Sequence, residues 1–429
     1  MTIVCGTDLS DNANQAVQAA FALARRRGDR ELVVAHVLDP ETRDHAAATA
    51  AAEDQLAASI AAASTGRLPA ARPTLITGPV IDALVTTTES EGRDLLVVAA
   101  RGQTQRSLLA LGGVAGGVAA ATSVPVLVVR DAAPLVAWAA GERPLRVMIG
   151  IDESASCDPA IALLHELRAL GPVDVIAGHI YYPDEAARRY GVKARSMVEA
   201  DPTVEQFLRR DLERRLGPLP GAGALEFRFR VGLGRLGDHL LEIADQAAID
   251  LIVVGTRQKG GIARLSSVSA VLLHDAKQSV WCVPTSSVPG AARVPQFRAA
   301  VVATDLSDFG NQAVPYAFTL VAGAAGMSEV HLVHVRDEDH EGADAATIDA
   351  RLRALVPEGQ AGVTVRTHVI NGDDPAEAIG LAAERIGADV VVIASRARSG
   401  LTRVLLGSVA DKLLRACRRP VLILRPPTE

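Results

Sequence analysis

Along this chain, short runs of aliphatic and β-branched residues alternate with longer Ala-rich stretches whose apolar positions recur at helical spacing. A short apolar run without polar alternation predicts a strand buried on both faces. Strands that alternate with helices predict a parallel sheet with helices on both sides. The clearest helical stretches are Asp11–Arg27, Asp82–Gly92 and Pro375–Ile386.

The pattern is written three times. Ile3-Val-Cys-Gly-Thr-Asp8-Leu-Ser10, Val147-Met-Ile-Gly-Ile-Asp152-Glu-Ser154 and Val301-Val-Ala-Thr-Asp305-Leu-Ser307 are each an apolar run ending in Asp and a small polar residue. A second strand carries His36-Val37, His179-Ile180 and His334-Val335. A fourth begins at Asp94, Asp250 and Asp389, and a last one covers Pro125–Arg130, Val280–Pro284 and Pro420–Arg425. These repeats predict three domains at 1–131, 145–284 and 298–429, with Pro- and Gly-containing linkers at 132–144 and 285–297. The middle domain is distinguished by a long charged stretch at 181–216, read as a helical excursion after its second strand.

Composition narrows the functions. The net charge is −6 and aromatics make up 3% of residues, so neither a basic nucleic-acid footprint nor a base-stacking platform is expected. Cys5, Cys157, Cys282 and Cys417 are widely spaced, which excludes a zinc ribbon or a CxxC redox motif and fits a reduced, cytoplasmic compartment. Residues 107–129 carry no charge, but Ala, Gly, Thr122, Ser123 and Pro125 read as helix, turn and buried strand rather than a membrane span. No signal peptide and no membrane association are expected.

In open α/β sheets ligands sit beyond the C-terminal strand ends where strand order reverses. Asp8, Asp152 and Asp305 end the first strands, and the loops after the fourth strands start at Ala99, Gly255 and Ala394. A small-residue loop running into a helix N-terminus can present N–H donors to a phosphate. Asp8 and Asp305 in turn suit either a helix cap or a ligand contact. His36, His179 and His334 recur at one strand position without a second ligand at metal spacing, which favours a structural role and no metal site.

Taken together, the first-strand Asp, the second strand ending in His-Val and a loop of form G-x2-G-x9-G-(S/T) resemble the universal stress protein family, over essentially the whole chain. The resemblance implies three tandem open-sheet units, each a mainly parallel five-stranded sheet with helices on both faces, of the adenine-nucleotide alpha-hydrolase-like type. It implies a non-catalytic stress or signalling module that binds ATP where the loop is intact, with Mg held only through the nucleotide. Carried over position by position, the implied ATP contacts are Asp8, Val37, Ala99, Gly102, Gly112 and Gly113 in the first unit. In the third they are Asp305, Val335, Ala394, Ala397, Gly407 and Ser408. Gly113 replaces the loop hydroxyl, and Ala394 and Ala397 replace glycines. In the middle unit Gln258 replaces the second glycine and the spacing breaks before Ser267, so no nucleotide is expected there. If all three loops have decayed, the array is a nucleotide-free scaffold.

A rival motif is Gly232-Leu-Gly234-Arg-Leu-Gly237, a G-x-G-x-x-G after a strand-like run, as in dinucleotide-binding oxidoreductases. It follows the third strand of its unit, and no acid stands at the end of the next strand. For assembly, apolar final strands invite edge pairing, which the resemblance also implies. Three units leave one edge over, so a homodimer through 125–130 or 420–425 is expected. Val280–Pro284, with bulky Trp281 and a proline, is the poorer strand.

Overall fold

The computed structural model describes residues 3–38, 45–64, 69–90, 92–102, 113–196, 198–256, 267–285, 297–322, 327–336, 344–360, 362–395 and 407–425. The first repeat runs β1 (Ile3–Thr7), α1 (Asp11–Arg27), β2 (Glu31–Leu38), α2 (His45–Ala63), β3 (Ala70–Thr77), α3 (Val80–Ser90), β4 (Leu95–Ala99), α4 (Gly113–Ala121) and β5 (Val126–Val129), followed by α5 (Ala133–Ala140). The second runs β6 (Leu145–Gly150), α6 (Asp158–Leu170), β7 (Val173–Tyr181), α7 (Pro183–Arg189), α8 (Pro202–Leu216), β8 (Leu225–Val231), α9 (Leu236–Gln246), β9 (Leu251–Thr256), α10 (Ser267–Asp275) and β10 (Ser279–Pro284). The third runs β11 (Ala299–Ala303), α11 (Asp308–Asn311), α12 (Ala313–Ala322), β12 (Ser328–Arg336), α13 (Ala345–Ala354), β13 (Val363–Asn371), α14 (Pro375–Ile386), β14 (Val390–Ala394), α15 (Ser408–Ala416) and β15 (Val421–Leu424).

Local sequence explains the helix ends. Ser10 caps α1 by accepting from the Ala13 amide, Asp11 sits in its first turn and Arg25–Arg27 in its last, and Gly28 closes it in the left-handed region at φ 76°. The predicted bounds of α1 and α14 match the structure, and 107–129 contains α4 and β5. Among the described residues no helix is long and apolar enough to cross a membrane.

The chain folds into two compact units. The first comprises Met1–Tyr182 and Leu212–Ala291, with a ten-stranded sheet in the order β3-β2-β1-β4-β5-β10-β9-β6-β7-β8. All its pairings are parallel except β5 with β10, where Val126 faces Cys282, Leu127 faces Trp281 and Val128 faces Val280. The strand expected to be the poor partner is therefore the one that pairs, and the final strand of the first repeat is used inside the chain. Pro284 causes no conflict, because the antiparallel ladder ends at Cys282. Residues 132–144 likewise hold a helix, α5, where a plain linker was expected.

The second unit comprises Pro183–Asp211 and Ala292–Glu429, with a five-stranded parallel sheet in the order β13-β12-β11-β14-β15 and β15 at its edge. The charged excursion thus packs with the third repeat. Arg189 bridges Asp211 at 3.2 Å and Glu384 at 2.9 Å, and Arg419 joins both acids at 3.3 and 2.9 Å. These side chains are largely buried, so each charge depends on its partners, and removing one strands the others.

Candidate nucleotide site at the strand reversal

In every repeat the order 3-2-1-4-5 reverses between the first and fourth strands, which brings the first-strand Asp beside the loop after the fourth. In the third repeat Asp305 Oδ1 accepts from the Ser307 amide at 2.9 Å and its hydroxyl at 2.6 Å. Ser307 in turn caps α11 by accepting from the Gly310 amide at 3.0 Å. Thr304 Oγ1 accepts from the Leu306 amide, and His334 Nδ1 donates to the Thr304 carbonyl at 2.9 Å. The first repeat builds the same device from Thr7, Asp8, Leu9, Ser10 and His36. In both, the leucine of Thr-Asp-Leu-Ser lies in the left-handed region, Leu9 at φ 64° and Leu306 at φ 61°. A bulky residue there is strained by about 1–2 kcal/mol. Such strain gathers at functional sites.

The helix-cap alternative for the Asp falls to the serine, which does the capping. The Asp instead braces the turn. Its environment also separates the repeats. A Cβ on Gly102 would lie 2.6 Å from Asp8 Oδ2, so the loop backbone approaches the carboxylate closely. In the third repeat a cavity of about 330 Å³ is lined by Asp305, Ser307, Ala394, Ser395, Gly407 and Ser408. Ser395 Oγ accepts from the Gly407 amide at 3.0 Å, tying the two ends of the loop together. Val37 and Val335 lie near the ends of β2 and β12, Ala99 ends β4, and Gly113 opens α4. Gly112 and Ala397 lie outside the described residues, as do Gln258 and most of the middle loop.

The middle repeat fills the same place with its own backbone. A Cβ on Gly255 would lie 1.7 Å from the Ser156 carbonyl oxygen, so the loop after β6 presses directly on the end of β9. Asp152 Oδ1 accepts from the Ser154 amide, the Ser154 hydroxyl and the Cys157 thiol, at 2.8, 2.5 and 3.1 Å. Burial opposes its ionisation. The hydrogen bonds from Ser154 and Cys157 and the nearby His179 outweigh that and hold its carboxyl below the usual range. Burial, then Asp152, pushes the Cys157 thiol up to about 12, which keeps it a donor. Arg215 donates to the Glu153 and Ser154 carbonyls and pins the loop from outside.

The profile of the universal stress protein family matches residues 1–130, 145–284 and 296–425. This chain belongs to the universal stress protein family. A universal stress protein of Mycobacterium tuberculosis is 30% identical over 200 residues, covering 43% of this chain and 64% of that relative, somewhat under two thirds of its length. One from Mycolicibacterium smegmatis is 26% identical over 297 residues, 65% of this chain and 97% of the relative. The crystal structure of a universal stress protein from Archaeoglobus fulgidus matches 66% of this chain and 98% of its own with a TM-score of 0.50 at 16% identity, a likeness of fold.

Within this universal stress fold, the first and last glycines of the G-x-G-x-x-G motif are packed against protein, while Gly234 takes a left-handed turn at φ 76° with nothing within 4 Å of its Cβ position. A Cβ on Gly232 would meet the Tyr182 ring at 2.8 Å and one on Gly237 would meet Val271 at 2.5 Å, so these glycines serve packing. Each repeated histidine donates Nδ1 to a carbonyl just before the Asp, from His179 to Ile151 in the middle repeat. Among the described residues no group of three or more His, Cys, Asp or Glu could hold a metal. Sequence reading missed Leu9, Leu306 and Ser395. The signal for the leucines was the identical Thr-Asp-Leu-Ser in the outer repeats, against Ile-Asp-Glu-Ser in the middle.

Proposed function

We propose that this universal stress protein is an ATP-responsive stress or signalling module with no catalytic turnover, its nucleotide held by the first and third repeats with Mg carried on the phosphates. The observation that carries this reading is the paired strained turn: Thr7–Ser10 and Thr304–Ser307 are built alike beside a helix N-terminus, while the middle repeat closes that space with the Ser156 carbonyl. The 330 Å³ cavity of the third repeat lies at the lower end of the range of ligand pockets, about 300–1,000 Å³. Phosphates would lie against Gly102 and Gly112-Gly113, or against Ala397 and Gly407-Ser408, and the Asp would face the nucleoside.

Calorimetry of the full chain with Mg-ATP tests this. Binding with Kd of about 1 mM or tighter is expected, worth at least about 4 kcal/mol. Asp8→Ala and Asp305→Ala should each remove one class of site. Silence from the wild-type chain refutes the reading and leaves the nucleotide-free scaffold.

We further propose a homodimer in the cytoplasm through 420–425. β15 is an edge strand of four apolar residues, each only partly buried, and 125–130 is already paired within the chain. Light scattering showing a monomer near 45 kDa at tens of micromolar would refute it.

A further inference from the structure

The first unit carries an internal two-fold. By strand register Leu127 and Trp281 are equivalent positions, since Val97 pairs with Leu127 as Val253 pairs with Trp281, and the two face each other across the β5–β10 ladder. The axis between them creates two equivalent grooves over the sheet face shared by α1 and α6. One is occupied by the stretch around α5. Ala132 donates to Gln15 Oε1 at 2.9 Å, Trp138 Nε1 donates to the Pro172 carbonyl at 2.9 Å, and Arg143 pairs with both oxygens of Asp250 at 2.7 and 2.9 Å. Arg26 lies over the Trp138 ring, 5.4 Å from its centroid.

The other groove is a cavity of about 1070 Å³ whose lining includes Pro159, Asp29, Asp94, Leu163 and Trp281. Its residues stand at the same places. Pro159 follows Asp152 at the interval at which Gln15 follows Asp8. Asp29 corresponds to Pro172, because Leu32 pairs with Ile3 as Val175 pairs with Val147. Asp94 corresponds to Asp250, because Leu95 pairs with Ile3 as Leu251 pairs with Val147. A helix of eight residues, the length of α5, is about 12 Å long and about 10 Å across, or about 900 Å³, which matches this volume. Three polar atoms on residues of its walls have no hydrogen bond: Trp281 Nε1, on a residue 3% exposed, Arg27 Nη2, and Asp29 Oδ2, which has Arg27 Nε at 3.5 Å. Burial pushes the Asp29 carboxyl up in spite of Arg27, so a further donor there would be favourable.

We propose that this second groove is a docking site for a short apolar helix of another protein, bearing an indole and, past its end, an arginine, seated as α5 is seated in the first. The indole N–H would be received by the Asp29 carbonyl and the arginine by Asp94. Small aromatic-anchored helices in such grooves draw their affinity from a few buried contacts.

The probe is a fluorescein-labelled peptide of residues 131–144, titrated into the full chain by anisotropy. Saturable binding is expected, with hydrogen-exchange protection gained in residues 159–170. Replacing the peptide's Trp138→Ala should weaken it at least about tenfold. Leu163→Arg in the full chain should do the same, while Leu414→Arg, on an exposed position of α15, should leave it unchanged. A Leu163→Arg chain with native circular dichroism that binds like wild type overturns the proposal. So does absence of binding with 159–170 already protected, which would mean that the chain itself fills the groove. Protection lost in α5 would mean exchange into the first groove, and also overturns it.

Discussion

The outer and middle repeats share a strand order, an Asp at the first strand end and a histidine clamp beneath it, yet they spend the space above the Asp differently. In the first and third repeats that space adjoins a strained leucine turn, with Gly102 beside Asp8 in the first and Ser395, Gly407 and Ser408 beside Asp305 in the third. In the middle repeat Glu153 takes no positive φ, and the chain instead folds over, seats Cys157 on the Asp and lays the Ser156 carbonyl on Gly255. All three turns satisfy their own polar groups; what differs is that only the middle one lays a backbone carbonyl against the end of its fourth strand.

The largest effect that sharpens this contrast is expected at Gly255. Gly255→Ala forces a Cβ into a backbone carbonyl and should cost about 3 kcal/mol, read as a lowered denaturation midpoint of the first unit. Gly113→Ala, with nothing within 4 Å of the new Cβ, should be neutral or stabilise by up to about 1 kcal/mol. Equal losses at both positions would break the comparison.

Acid should separate the repeats next. The carboxyl of Asp152 is depressed in the folded state, so its contribution is fully present above the unfolded value of about 3.9 and is lost as pH falls through the lower folded value. Asp152→Asn should therefore flatten the fall of the thermal midpoint below about pH 4. An unchanged slope would mean that its hydrogen bonds do not favour the ionised form.

The smallest effect is at the turn itself. Leu9→Gly relieves the left-handed strain while loosening the unfolded chain, so the two changes nearly cancel, to within about 1 kcal/mol. Glu153→Gly has no strain to relieve and should destabilise by about 0.5–1 kcal/mol. Chemical denaturation distinguishes them, and a clear loss in Leu9→Gly alone would remove strain from the account of the site.

Much of this was legible in the residues. Buried β-branched runs specified the strands, the Ala-rich stretch Asp11–Arg27 specified α1, and the recurring Asp marked the end of each first strand. What was not legible depends on distant partners. Pro284 argued against β10 as a pairing strand, but the ladder to β5 uses only Val280–Cys282 and never calls on the missing amide. The charges of 181–216 read as a helical excursion of the middle repeat with no stated partner, because Glu384 and Arg419, which neutralise Arg189 and Asp211, lie far along the chain. The positive φ of Leu9 and Leu306 ran against residue preference and had only the repeated motif to betray it.

The protein has two tryptophans, Trp138 in α5 and Trp281 in β10, and both belong to the first compact unit. Intrinsic indole emission is therefore a private channel for that unit, and a melt followed at its wavelengths is blind to the other. Far-ultraviolet circular dichroism registers both. A second transition present in the dichroism and silent in the fluorescence belongs to the third repeat and its excursion, so unlabelled wild-type protein already carries the means to time the two unfolding events separately.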